Sequence, residues 1–179
     1  MGLDYSIEPK TEESEYFNFP EVLSYFFEQI GGYEEQSIVS QVEKILNIDL
    51  SIFQKTYHPE MEFELEDYDE EFKNGLDPDG YWIKTELLID KTSELQNKIR
   101  DNKNYFDHLI FNPNNDINKM VNMQYEEVIK YQKENSLSLY PINKGIITDQ
   151  NLQESIEELH TTLLDIKKQD IEEIRLVYA

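Results

Sequence analysis

Eight carboxylates stand within twelve residues: Glu60, Glu62, Glu64, Glu66, Asp67, Asp69, Glu70 and Glu71, with no Lys or Arg among them. Chemically, such a cluster can do one of two things. It can draw in a cationic partner, or it can stay hydrated as an outer face. Met61, Phe63 and Leu65 alternate with the first four Glu, which is the pattern of a β-strand with one apolar and one acidic side. On that strand, same-side carboxylates would recur every ~6.6 Å, and a neighbouring pair would repel by roughly 0.6 kcal/mol in water before salt screening. Folding gains nothing from such a row. Hence either the row is a solvated face that discourages edge-to-edge pairing, or it is a surface for a basic partner, with Tyr68 as an aromatic anchor among the charges. Phosphate mimicry fits less well, because ~6.6 Å is sparser than one phosphate per ~3.4 Å along a nucleic-acid strand.

A second group of oxygen ligands lies just downstream. With Gly80 placed as the central glycine of an EF-hand loop, Asp77 and Asp79 fall at the third and fifth ligand positions and Glu86 at the bidentate twelfth. The first position is then Gly75 instead of Asp, and Pro78 stiffens the loop. The competing reading is a polar turn leading into a helix cap, so no metal and no cofactor is expected. The three histidines, His58, His108 and His160, are far apart and match no metal-ligand spacing. His160 lies beside an apolar helical stripe and reads as structural. The chain has no nucleophile elbow, phosphate-binding loop or dinucleotide-binding turn, and with six Gly it has little flexible backbone to cradle phosphate. No catalytic residues are assigned. An enzyme would need a site assembled from dispersed residues.

The elements that must carry these groups follow from periodicity. Leu3, Tyr5 and Ile7 alternate with polar residues and predict a strand ending at Pro9. Asn18 with Glu21 resembles a capping box opening a helix that runs to Ile30 and stops at Gly31-Gly32. Ile38, Val42, Ile45 and Leu46 mark a second helix ending near Asn47, followed by a short turn capped by Asp49. Tyr81, Trp82 and Ile83 predict a brief strand. Thr85 then caps a helix with Leu88, Leu95 and Ile99 on one stripe. Residues 104–111 read equally as buried strand or short helix. Asp116 caps a further helix through Ile117, Val121, Tyr125 and Val128, and Leu137 and Leu139 suggest another strand. The clearest helix places Leu152, Ile156, Leu159, Leu163 and Ile166 on one face, with Asp149 as its cap. Ile174, Leu176 and Tyr178 predict a last strand able to pair with the first. Together these predict an α+β fold: a single domain over residues 1–179, with a small, mostly antiparallel sheet packed with about five helices.

Composition narrows the classes further. The chain of 179 residues is long enough to bury a core, and 39% hydrophobic residues, including 12 Tyr and 9 Phe, supply one. The absence of Cys excludes disulfides, thiolate metal sites and a thiol nucleophile. The net charge of −22 is uneven: residues 1–90 hold 23 acids and 5 bases, residues 91–179 hold 15 and 11. Direct nucleic-acid binding and anionic membrane surfaces are disfavoured by repulsion. No apolar run is long enough to span a bilayer and no secretory signal opens the chain, so a cytoplasmic location is expected.

Size, the lack of Cys, the acidic strand Glu60–Glu66, the opening Met1-Gly2-Leu3-Asp4 and the step Gly80-Tyr81-Trp82-Ile83 together give the chain a class-level resemblance to the acidic immunity proteins of bacterial toxin systems. The resemblance implies a protein that docks on a toxin and blocks its active site. The class has no shared motif, so it assigns no residue by itself. The expected function is inhibition of a basic protein, such as a nuclease toxin, through Glu60, Glu62, Glu64, Glu66, Asp67, Tyr68, Asp69, Glu70 and Glu71. The alternative is an acidic soluble domain, phage-borne or regulatory, whose charge serves solubility alone.

Overall fold

The computed structural model describes residues 5–12, 16–30, 37–59, 78–109, 124–134 and 147–178. Alternation at the start of the chain produces β1 (Tyr5–Pro9), with Tyr5 and Ile7 buried and Ser6 and Glu8 half-buried. β2 (Phe17–Asn18) folds back antiparallel onto it. Asn18 is therefore not the helix cap its neighbourhood with Glu21 suggested. It pairs with Ser6 across the sheet, and Pro20 takes the cap position with no side-chain hydrogen bond. α1 (Glu21–Ser24) widens directly into a π-helical turn, Tyr25–Ile30, which carries the buried Phe26 and Phe27.

α2 (Ile38–Leu46) begins at Ser37, whose hydroxyl accepts the Ser40 N–H at 3.1 Å, and ends at Asn47 in the left-handed conformation, φ 50°. Asn tolerates that region better than other residues with a Cβ, which is why the helix stops where the sequence indicated. The Asp49 carboxylate accepts the Ser51 N–H at 2.9 Å and opens the 3₁₀ turn Ser51–Gln54. From this turn Phe53 stacks on Phe27, ring centroids 4.8 Å apart. β3 (Thr56–Tyr57), the 3₁₀ turn Pro78–Tyr81 and β4 (Ile83–Lys84) follow.

α3 spans Thr85–Asp101, with Lys84 at its cap position. Thr85 is thus the first helical residue and not the cap. Its hydroxyl donates to the Ile171 carbonyl and its N–H to the Glu172 carbonyl, both at 2.9 Å, so its polar groups tie the helix start to a distant loop. Of the ambiguous stretch, the described residues form a 3₁₀ turn, Phe106–His108, beside the buried Tyr105, and residues 110 and 111 lie outside them. α4 covers Tyr125–Glu134 and takes in the end of the helix expected from Asp116, whose start lies outside the described residues, as does the strand expected at Leu137 and Leu139. α5 (Asp149–Lys168) is capped by Thr148 and not by Asp149: the Thr148 hydroxyl accepts the Asn151 N–H at 3.1 Å and the Asn151 side chain accepts the Thr148 N–H at 2.8 Å. Thr148 has the extended φ and ψ of −119° and 159° that a cap requires.

The last strand, β5 (Glu173–Tyr178), organises the sheet. The order is β2-β1-β5-β3, and β4 also pairs with β5. β1 and β4 run antiparallel to β5, and β3 runs parallel. The fold is α+β, a small mostly antiparallel sheet packed with helices. Registers place Tyr5, Ile7, Ile83, Ile174 and Leu176 in the main core with the apolar stripes of α3 and α5, all five predicted positions of α5 being buried. α3 and α5 pack antiparallel, since Thr85 bonds near Ile171 and Thr92 meets His160. Among the described residues no helix is long and apolar enough to cross a membrane.

Candidate functional site

Glu60, Glu62, Glu64, Glu66, Asp67, Tyr68, Asp69, Glu70 and Glu71 lie outside the described residues, as do Gly75 and Asp77. What the structure does fix is the chain on either side of them. β3 pairs Tyr57 with Val177, and β4 pairs Ile83 with Ile174, so both flanks of the acidic stretch are held on the same edge of β5. The Tyr57 and Tyr81 rings meet edge-on, centroids 5.7 Å apart.

Beside this edge the structure gathers a cluster that the sequence did not announce. In the antiparallel register Glu8 stands opposite Arg175. The Arg175 Nε–H donates to Glu8 Oε2 at 2.6 Å, and both side chains are largely buried. The guanidinium carbon lies 3.7 Å from the Tyr57 ring centroid and 4.7 Å from that of Trp82, both within cation–π range. The Lys10 ammonium also lies over Trp82, at 5.3 Å, and pairs with Glu173 at 2.7 Å. Burial opposes the Arg175 charge, but the Glu8 hydrogen bond and carboxylate outweigh it and hold the pKa above the ordinary arginine value. Strand alternation puts Glu8, Tyr57 and Arg175 on the sheet side opposite Ile7, Ile174 and Leu176. Tyr57 and Val177 are accordingly buried but stand apart from the main core. Trp82 is the one tryptophan of the chain, and Arg175 lies in β5 between Ile174 and Leu176. Their meeting depends on register, which no local pattern encodes.

The other candidate groups are dispersed. Asp79 is exposed in the 3₁₀ turn, where its carbonyl accepts the Trp82 N–H at 3.3 Å, and Glu86 is exposed in the first turn of α3. The Glu86 charge acts on the Lys167 ammonium, whose pKa is raised first by its hydrogen bond to Glu172. Among the described residues no three His, Asp or Glu side chains gather as a metal site.

His58 packs edge-on against Tyr178, and His108 is exposed. His160 is structural, as its place beside the stripe suggested. Thr92 Oγ1 is 2.9 Å from the Leu88 and Ile89 carbonyls and 2.9 Å from His160 Nδ1. The Thr92 hydroxyl donates to a carbonyl of its own helix and meets the His160 ring, which joins α3 to α5.

Between α3 and α5, Ile99 and Ile156 line a groove of about 580 Å³ together with Arg100, Lys103, Asp149 and Glu157. The lining balances two cations against two anions and so has no charge preference. Close to Asp149, the Tyr105 hydroxyl is buried with no close hydrogen-bond partner among the described residues, and the Asp149 carboxylate lies near enough to act on it. Burial first, and the Asp149 carboxylate second, push its pKa well above the usual phenol value. Comparison with protein-family models, curated proteins and solved structures found no match.

Proposed function

We propose that this chain is an inhibitory binding protein of the immunity type, a single cytoplasmic domain of bacterial origin that neutralises a basic partner such as a nuclease toxin. The contact surface is the acidic stretch Glu60, Glu62, Glu64, Glu66, Asp67, Tyr68, Asp69, Glu70 and Glu71. The observation that carries the reading is the density of that stretch: eight carboxylates in twelve residues with no base. Its attachment adds support, because the flanking strands β3 and β4 are both seated on β5. A concentrated negative surface on a rigid frame speeds encounter with a cationic protein and competes with the nucleic acid that protein would bind.

The test begins with capture of a basic protein from the source organism at low ionic strength, followed by its purification. Association kinetics are then measured with the native chain and with Glu60→Gln/Glu62→Gln/Glu64→Gln/Glu66→Gln. The substitutions should lower the association rate about tenfold at low salt, with the two rates converging as salt screens the charge. Equal rates at all ionic strengths would remove the acidic stretch as the contact surface and leave its charge to solubility alone.

A further inference from the structure

We infer that Arg175 is a positioning residue, a clamp that fastens to the sheet both chain segments flanking the acidic stretch. Its value to a partner rests on the function just proposed; the clamp itself does not. The geometry is specific. A bare ion pair between β1 and β5 needs only Glu8 opposite Arg175. Here the same guanidinium also lies against Tyr57, just before the stretch, and Trp82, beyond its far side. The two rings come from opposite sides of residues 60–77 and meet on one cation. Tyr57 and Tyr81 touch as well, so the approach and the return of the chain are joined twice.

An Arg suits this place and a Lys does not. The planar guanidinium can stack on rings while its edge donates to a carboxylate, whereas an ammonium is a point charge with no face. Glu8 holds the plane in orientation by accepting from Nε. β3 and β4 are each two residues long, so backbone pairing alone secures the flanks weakly. Fixing both ends of a segment reduces the conformations open to it, which lessens the ordering a partner must impose on binding.

The experiment uses the full chain with Arg175→Met, Arg175→Lys and Trp82→Leu. Cleavage by a Glu-specific protease is followed by mass spectrometry at residues 60–71 and, as the internal control, at Glu157 and Glu158 on the exposed side of α5. Arg175→Met should raise cleavage between residues 60 and 71 about tenfold over the control sites, the loss of two cation–π contacts and a charged hydrogen bond being ample for that factor. It should also shift the emission of Trp82, the one tryptophan in the chain. Arg175→Lys should restore part of the protection, since it keeps the charge but loses the stack. Trp82→Leu keeps the Glu8 pair and removes one ring, so it covers the case in which Arg175→Met does not fold, and it should also raise cleavage selectively.

Unchanged cleavage at residues 60–71, or cleavage that rises equally at the control sites, would overturn the clamp. Selective cleavage in these variants, together with an association rate left unchanged by the four Glu→Gln substitutions, would uphold the clamp and reject the acidic contact surface.

Discussion

At the scale of single residues, Tyr105 carries the sharpest consequence. A buried phenol hydroxyl with no close hydrogen-bond partner among the described residues costs about 1–3 kcal/mol in lost hydration, offset only in part by the nearby Asp149 carboxylate. Tyr105→Phe keeps the ring and removes the cost, so chemical denaturation at pH 7 should show a gain of about 1 kcal/mol. The pH dependence has a definite sign. The folded-state pKa is raised, so below the unfolded value near 10 both states hold the proton and nothing changes. As pH rises past that value the unfolded chain releases its proton first, and stability falls. Tyr105→Phe should therefore hold its stability further into alkali than the native chain. A loss of stability at pH 7 would show instead that the hydroxyl has a partner worth keeping. Thr92 illustrates the opposite condition: a buried hydroxyl with both carbonyl and imidazole partners, joining two helices.

At the scale of elements, α5 tests how caps are chosen. The sequence reading takes Asp149 as the cap, since a carboxylate is favoured near a positive helix end. The backbone decides otherwise, because Thr148 is extended and makes reciprocal bonds with Asn151. Thr148→Ala should cost about 1 kcal/mol in thermal or chemical unfolding and Asp149→Ala clearly less. Equal losses would mean that charge, not capping, holds the helix start.

The same contrast explains what was legible beforehand. The stripe from Leu152 to Ile166 and the alternation at Tyr5 and Ile7 and at Ile174 and Leu176 are properties of one segment, and they survive into the fold. In β5 the alternation breaks at Val177, which is buried on the other side, and Tyr178, which is half-buried. Asn18 and Thr85 were misplaced because their polar groups answer to distant chain: Ser6 for the first, Ile171 and Glu172 for the second. The Glu8–Arg175–Tyr57–Trp82 cluster was invisible for the same reason. Its members become neighbours only after three strands settle their registers on β5.

At the scale of the whole molecule, charge outweighs every other feature of the surface. A net charge of −22, with −18 in residues 1–90, makes the folded state repel itself. The described ion pairs offset little of this, since most, such as Lys168–Asp165 and Lys130–Glu134, are solvent-exposed. Raising the salt from about 10 mM to about 300 mM should therefore stabilise the protein by on the order of 1 kcal/mol, or about 2–4 °C in Tm. Calorimetry in sodium chloride and in a second salt of like ionic strength separates screening from specific ion effects. A Tm that falls with salt would mean that attractive pairs outweigh repulsion.

One strand late in the sequence supplies the hydrogen-bond partners of β1, β3 and β4. A ribosome delivers the highly charged first half long before that strand emerges. Until then β3 and β4 lack the strand they pair with and β1 has only β2, so the nascent chain depends on its own repulsion to stay apart from its neighbours. A chain interrupted before residue 173 could not complete the sheet, so proteolytic surveillance would clear it as unfolded.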